Sequence, residues 1–161
     1  MTEVTTAEHD AGGLPFTDAA RRLLADARAE SDHFKHEYIG TEHLALALVR
    51  QSGNAASLLR LGVDWKQVHA VVAEIIAPGQ SAPVPGKERP FTSRTKHAFA
   101  LAGASARALG HAGVGLEHLL LGLMRERMCI AAQALAQHGL TEEGALEQVQ
   151  RSGAESSWLT P

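Results

Sequence analysis

Short apolar stripes separated by polar caps and glycine stops run along most of the chain. Behind Thr17 and Asp18, either of which can cap a helix start, Ala20, Leu23, Leu24 and Ala27 recur at helical spacing. Thr41 and Glu42 precede Leu44, Leu46 and Leu48, a short and strongly apolar helix with its acid at the positive end of the helix dipole. The run "NAASLLRLG" stops on Gly62, and Asp64 then caps a fourth helix whose Val68, Val71, Val72 and Ile75 form one face. The same plan predicts four more helices, over 92 to about 109, 116–127, 130–138 and 141 to about 151. No alternating β pattern competes with them.

The two sets of four are copies. Phe16-Thr17 returns as Phe91-Thr92, and Glu42-His43 as Glu117-His118, each 75 residues on (91 − 16 and 117 − 42). The stop glycines Gly62 and Gly139 are 77 apart (139 − 62), so the second copy has gained two residues in an intervening turn. Two copies are too few for a long solenoid but suit a pseudo-twofold pair of helical repeats. The expected organisation is a leader (1–13), a first repeat (14–77), a linker rich in proline, glycine and serine (78–90), a second repeat (91–151) and a tail (152–161).

Composition narrows the class. A chain of 161 residues with 45% apolar and 20% charged residues builds one globular unit with a real core. Its formal charge of −3 supplies no broad cationic field, so nucleic acid is not an expected partner. No apolar run approaches the roughly 20 residues of a spanning helix, and the start carries no secretion signal. The expected address is the cytoplasm, with no membrane contact.

Candidate chemistry is sparse. The phosphate-loop pattern GxxxxGK[ST] is absent, and Gly86-Lys87, the one "GK", has no Ser or Thr behind it. His33 and His36 share a helix face, yet a metal site wants three or four convergent ligands and no third is evident. In "EH" at 42–43 and 117–118 the two side chains point about 100° apart on a helix, unlike the zinc-protease HExxH. These histidines read as packed or hydrogen-bonded. Cys129 and His138, nine apart, do not align on a helix, so no thiol nucleophile is assigned. No catalytic residue, metal ligand or cofactor is expected.

The paired layouts "FTDAARRLLADARAE…YIGTEHLALAL…LLRLGVD" and "FTSRTKHAFALAGASARALGHAGVGLEHLLLGL…ALAQHGL" resemble the double Clp repeat over roughly 14–151. That is the N-terminal domain of Clp/Hsp100 unfoldases, and the style is nearest to ClpC. The resemblance implies an all-α, pseudo-twofold tandem of two four-helix Clp repeats. It also implies a non-catalytic binding module that brings adaptors or substrates, including arginine-phosphorylated ones, to a Clp unfoldase and its protease.

The resemblance further implies a phosphoarginine pocket in each repeat: Thr17 with Glu42 in the first, Thr92 with Glu117 in the second. Threonine would stand near the phosphoryl group and glutamate near the guanidinium, chemistry that suits free N–H groups at a helix start and a carboxylate acceptor. In the second copy Leu116 replaces the threonine of "GTEH", which removes an expected capping hydroxyl beside Glu117. For peptide antibiotics directed at ClpC, Phe91 and Lys96 match the pattern, whereas Gly13 stands where an aromatic is usual. The long leader favours a free-standing protein, for which a decoy role, sequestering ClpC ligands or such antibiotics, is the alternative to an adaptor or receptor.

Overall fold

A computed structural model describes residues 13–52, 61–80, 89–126 and 129–154, the side chains of 152–154 excepted. Among these residues seven helices occur: α1 (Asp18–His33), α2 (Thr41–Gln51), α3 (Trp65–Ile75), α4 (Ser93–Ala108), α5 (Leu116–Arg125), α6 (Ile130–Gln137) and α7 (Glu142–Ala154). The helix expected over "NAASLLRLG" lies outside the described residues.

Side chains cap five helix starts, the predicted Thr17, Asp64 and Thr92 among them. Thr17 Oγ1 accepts from Ala20 N at 3.2 Å, Thr92 Oγ1 from Thr95 N at 3.2 Å, and Asp64 Oδ1 from Gln67 N at 3.3 Å. Thr141 Oγ1 accepts from Gly144 N at 2.9 Å, and the sulfur of Cys129 accepts from Ala132 N at 3.3 Å. Asp18 is not the cap but the first helical residue, 2.8 Å from Arg21.

The two leucine-rich copies form the centre. In α5 every residue from Leu116 to Met124 is buried, and in α2 so are Thr41 and His43 to Leu48. A helix apolar on all sides must be surrounded. Accordingly α1 and α3 pack on α2, and α4, α6 and α7 pack on α5. The halves are not separate bodies: α6 also packs on α2 and α3, α1 touches α5, and one continuous apolar core runs through both. Phe99 stands at the junction, its ring edge-on to Phe16 (5.6 Å) and to Phe91 (4.9 Å). Near the pseudo-twofold axis the equivalent glycine turns meet, with Asp64 N donating to the His138 carbonyl at 3.2 Å.

Polar cross-ties repeat as well. Arg50 bridges from α2 to Glu30 of α1 at 2.8 Å, and its counterpart Arg125 donates from α5 to Ser105 of α4 at 2.9 Å. Position 35 closes α1 in the left-handed region with Lys35 (φ 59°), where the second copy has Gly110 (φ 73°). The helices α4 and α5 approach closely at Gly122, where an added Cβ would lie 2.3 Å from the Ala98 carbonyl oxygen.

Two substitutions separate steric from conformational cost. Gly122→Ala must push α4 off α5 and is expected to lower unfolding free energy by about 2 kcal/mol or more. Gly110→Ala meets no atom within 4 Å, so only its left-handed backbone counts, about 1 kcal/mol. Urea denaturation of both variants checks the order.

Candidate functional site

Each repeat lends its opening residues to the other. Phe16 lies in a parallel bridge with Val114, and Phe91 in a parallel bridge with Ile39. Thr17 N donates to the Val114 carbonyl at 2.9 Å and Val114 N to the Pro15 carbonyl at 2.8 Å. In the mirror contact Ile39 N donates to the Pro90 carbonyl at 2.8 Å and Thr92 N to the Ile39 carbonyl at 3.1 Å. A threonine at a helix start is thereby fixed beside the Glu-His motif of the opposite repeat. The pairing expected within each repeat is therefore corrected: Thr92 shares a cleft with Glu42, and Thr17 sits beside the Gly113–Val114 strand that leads into Glu117.

The cleft formed by Thr92 and Glu42 has a volume of about 390 Å³. Its walls are first-turn residues of three helices, Thr41 and Glu42 from α2, Thr92 to Arg94 from α4, and Cys129 and Ile130 from α6, with Tyr38 at the side. Three helix N-termini thus aim their partial positive charge and free N–H groups at one space. Glu42 supplies the opposite sign within it.

Thr92 is bound up in its capping role: its hydroxyl oxygen is also 2.8 Å from that of Thr95, which donates in turn to the Ile39 carbonyl at 3.1 Å. Burial, then the charge of Glu42 and a hydrogen bond to it, pushes the Tyr38 phenol up. Arg94, about half exposed, reaches Glu126 at 3.3 Å, and His97 Nδ1 holds the other oxygen of that carboxylate. Burial raises the Cys129 thiol, against the lowering pull of Ala132 N–H and the Thr41 hydroxyl. Cys129 and His138 occupy opposite ends of α6, so they form no nucleophile and base pair.

The repeated histidines are structural. Neither α2 nor α5 begins on a hydroxyl cap; Gly40 and Gly115 are the cap residues, and their N–H groups donate to His43 Nδ1 (2.8 Å) and His118 Nδ1 (2.9 Å). The imidazole at the third helical position does the work of the glutamate in a capping box. Thr41 is the first residue inside its helix, so Leu116 removes no cap, contrary to expectation. With Nδ1 accepting, each neutral ring carries its proton on Nε2 and donates it onward, His43 to His36 Nδ1 and His118 to His111 Nδ1, both at 2.8 Å. His36 passes the relay to the Ala77 carbonyl at 2.7 Å. Both its ring nitrogens are thereby engaged, which leaves no lone pair for a metal.

Phe91 is half-buried against Phe99, while Lys96 is exposed on α4. Sequence reasoning did not single out Tyr38, Arg94, Cys129 or Ile130 as cleft residues. Their signal is the 75-residue register combined with cross-repeat pairing, and that pairing is invisible along the chain.

The described residues define a small helical domain of two interlocked repeats with a cleft at their seam. Residues 15–152 match the Clp repeat (R) N-terminal domain, and the chain belongs to this family. It is 39% identical over 136 residues to the negative regulator of genetic competence ClpC/MecB of Bacillus subtilis, covering 83% of this chain and 16% of that protein. The chaperone protein ClpB of Oceanobacillus iheyensis is 38% identical over 136 residues, with the same coverage of each. The chain thus aligns with about one sixth of the length of these relatives. The N-terminal domain of ClpD from Arabidopsis thaliana superposes with a TM-score of 0.66 at 22% identity, covering 84% of this chain and 94% of that one. The Hsp104 N-terminal domain of Candida albicans gives 0.67 at 16% identity, covering 86% and 92%. Both show the shared fold. Domains of this family are binding modules rather than catalytic ones. Among the described residues no helix is long and apolar enough to cross a membrane.

The histidine relays predict acid sensitivity. Burial, with His36 and Arg89 adding to it, pushes His43 down to about 4, and burial with His111 pushes His118 down to about 3, from the ordinary 6.5. Between those values the unfolded chain binds more protons than the folded one. Stability is therefore full above pH 6.5 and falls as pH drops toward 4 and then 3. In urea titrations His43→Gln/His118→Gln should be less stable than wild type at neutral pH but show a flatter decline across that window.

Proposed function

We propose that the chain is a non-catalytic receptor of the Clp proteolytic system whose seam cleft holds a phosphoarginine side chain of a marked substrate or adaptor. The observation that carries this reading is the convergence of three helix starts and Arg94 around one carboxylate, Glu42. Phosphoarginine bears a phosphoryl anion attached to a guanidine, so its receptor needs both signs within a few ångströms. Free N–H groups of α4 and α6, with the Arg94 guanidinium, suit the phosphoryl oxygens. Glu42, held by the Tyr38 hydroxyl, suits the guanidine N–H groups.

Partners consistent with this reading are Clp unfoldase or protease components, adaptors and arginine-phosphorylated substrates. The alternative is a decoy that uses the same cleft to withhold ligands from ClpC. A pull-down separates them: recovery of unfoldase subunits favours the adaptor or receptor, and recovery of the unfoldase's clients without it favours the decoy. Capture of ClpC-directed peptide antibiotics fits less well. Gly13, at the position of the usual aromatic, has φ 85°, and an added Cβ would lie 3.1 Å from the Arg107 side chain, while Phe91 is partly drawn into the core.

Calorimetry with a phosphoarginine peptide and its unphosphorylated twin tests the receptor. Selective binding should vanish in Glu42→Ala. Thr92→Val removes a hydroxyl already engaged in capping α4 and with Thr95, so it should cost about 1 kcal/mol of stability through the lost cap and weaken binding less than Glu42→Ala does. Absence of binding by folded wild type would overturn the reading.

A further inference from the structure

The repeats share a fold, but their two seams do not share a chemistry. The 75-residue register places Asp18 where the cleft has Ser93, Ala19 where it has Arg94, Leu116 where it has Thr41, and Gly113 where it has Tyr38. We propose that only the seam of Thr92 and Glu42 accepts a phosphoryl anion, and that Asp18 and Ala19 bar it from the seam of Thr17 and Glu117. This deepens the receptor reading and rests on it.

The two replacements at the helix start act in the same direction, and Arg22, where the other copy has His97, opposes them only from the next position along the surface. Ser93 to Asp18 adds a negative charge at the first helical residue, and Arg94 to Ala19 removes a positive one. An incoming dianion at that helix start therefore meets a carboxylate where the other seam offers a guanidinium, and the attraction of the helix dipole is offset. Asp18 is 82% exposed at its side chain and stands clear of the protein at the tip of α1. Its ion pair with Arg21, 2.8 Å away and also exposed, is a surface pair in water and leaves the carboxylate only partly screened. Nor does Arg21 favour this seam over the other, because Lys96 occupies its equivalent position.

The carboxylate that would meet a guanidine also differs. Glu42 is half-buried and lines the cleft beside Tyr38, whereas Glu117 is only 8% exposed. Leu116, 5% exposed, belongs to the apolar core. At Gly113 even a Cβ would lie 3.0 Å from the Pro15 carbonyl oxygen, so that seam has no room for an equivalent of Tyr38. The fold repeats because the core requires it, while the rim is free to diverge.

The test is a graft read by stoichiometry. A peptide carrying one phosphoarginine is titrated calorimetrically into wild type, Glu42→Ala, and Asp18→Ser/Ala19→Arg made in each of those two backgrounds. The expected results are one site in wild type, none in Glu42→Ala, and a recovered, weaker site when the graft is added to Glu42→Ala. Asp18 is exposed, whereas Ala19 is half-buried against the core at the first turn of α1, so circular dichroism and a thermal melt first establish that each grafted variant is folded, and Asp18→Ser alone serves as the milder graft; adding Leu116→Thr extends the graft where the melt permits. Two equal sites in wild type would overturn the inference and leave the receptor reading standing. One wild-type site with no gain from the graft would overturn the role of Asp18 and Ala19. No binding by folded wild type would remove the receptor reading and this inference together.

Discussion

Four backbone hydrogen bonds at two short parallel bridges hold the seam cleft and the fold in one arrangement. They tie Phe16-Thr17 to Val114 and Phe91-Thr92 to Ile39, so each repeat is completed by the other. Extended backbone between helices has to satisfy its N–H and carbonyl groups somewhere, and at Thr17, Ile39, Thr92 and Val114 it does so across the seam. The phenylalanines of those segments meet at Phe99, which joins the polar exchange to the apolar core. A cleft therefore forms between repeats, where three helix starts converge and none of them alone would make a site.

The turns that lead into the seam are fastened from below. Buried Arg89 pairs with Asp32 at 2.9 Å and donates to the His36 carbonyl, just ahead of the Pro90–Phe91 exchange. From the other end of the same connection, Gly79 N donates to the Phe34 carbonyl at 2.7 Å, and an added Cβ on Gly79 would collide with the Lys35 carbonyl oxygen. Both ends of the connection between repeats thus converge on residues 32–36, the turn that carries His36 and leads to Tyr38. Cap, relay and cleft wall share one support, which couples the stability of the histidine network to the geometry of the site.

The double glycine–Glu–His signature has two meanings that the fold separates. Glycine and histidine are a cap: the imidazole accepts the glycine N–H and donates its own N–H to a second histidine, buried His36 in one copy and half-buried His111 in the other. Glutamate takes no part in that cap; Glu42 lines the cleft and is half-buried, whereas Glu117 is almost fully buried. Histidine is retained in both copies because both helices need the cap, whereas the rim residues around the two glutamates have gone separate ways.

The linear pattern was enough to establish the seven helices of the described residues, the caps at Thr17, Asp64 and Thr92, the apolar character of the two leucine-rich runs and the 75-residue register. Each of these depends on neighbours within a turn or two, or on direct comparison of one copy with the other. It also drew attention to Thr92 and Glu42, though with the wrong companions. Only the tertiary structure decided that the repeats exchange their opening segments, that Tyr38, Arg94 and Cys129 join the cleft, and that histidine rather than threonine caps α2 and α5. Those outcomes depend on contacts between residues tens of positions apart, or on the direction in which a side chain bonds. Hydrophobic periodicity reports which face is buried, but not which distant segment will cover it.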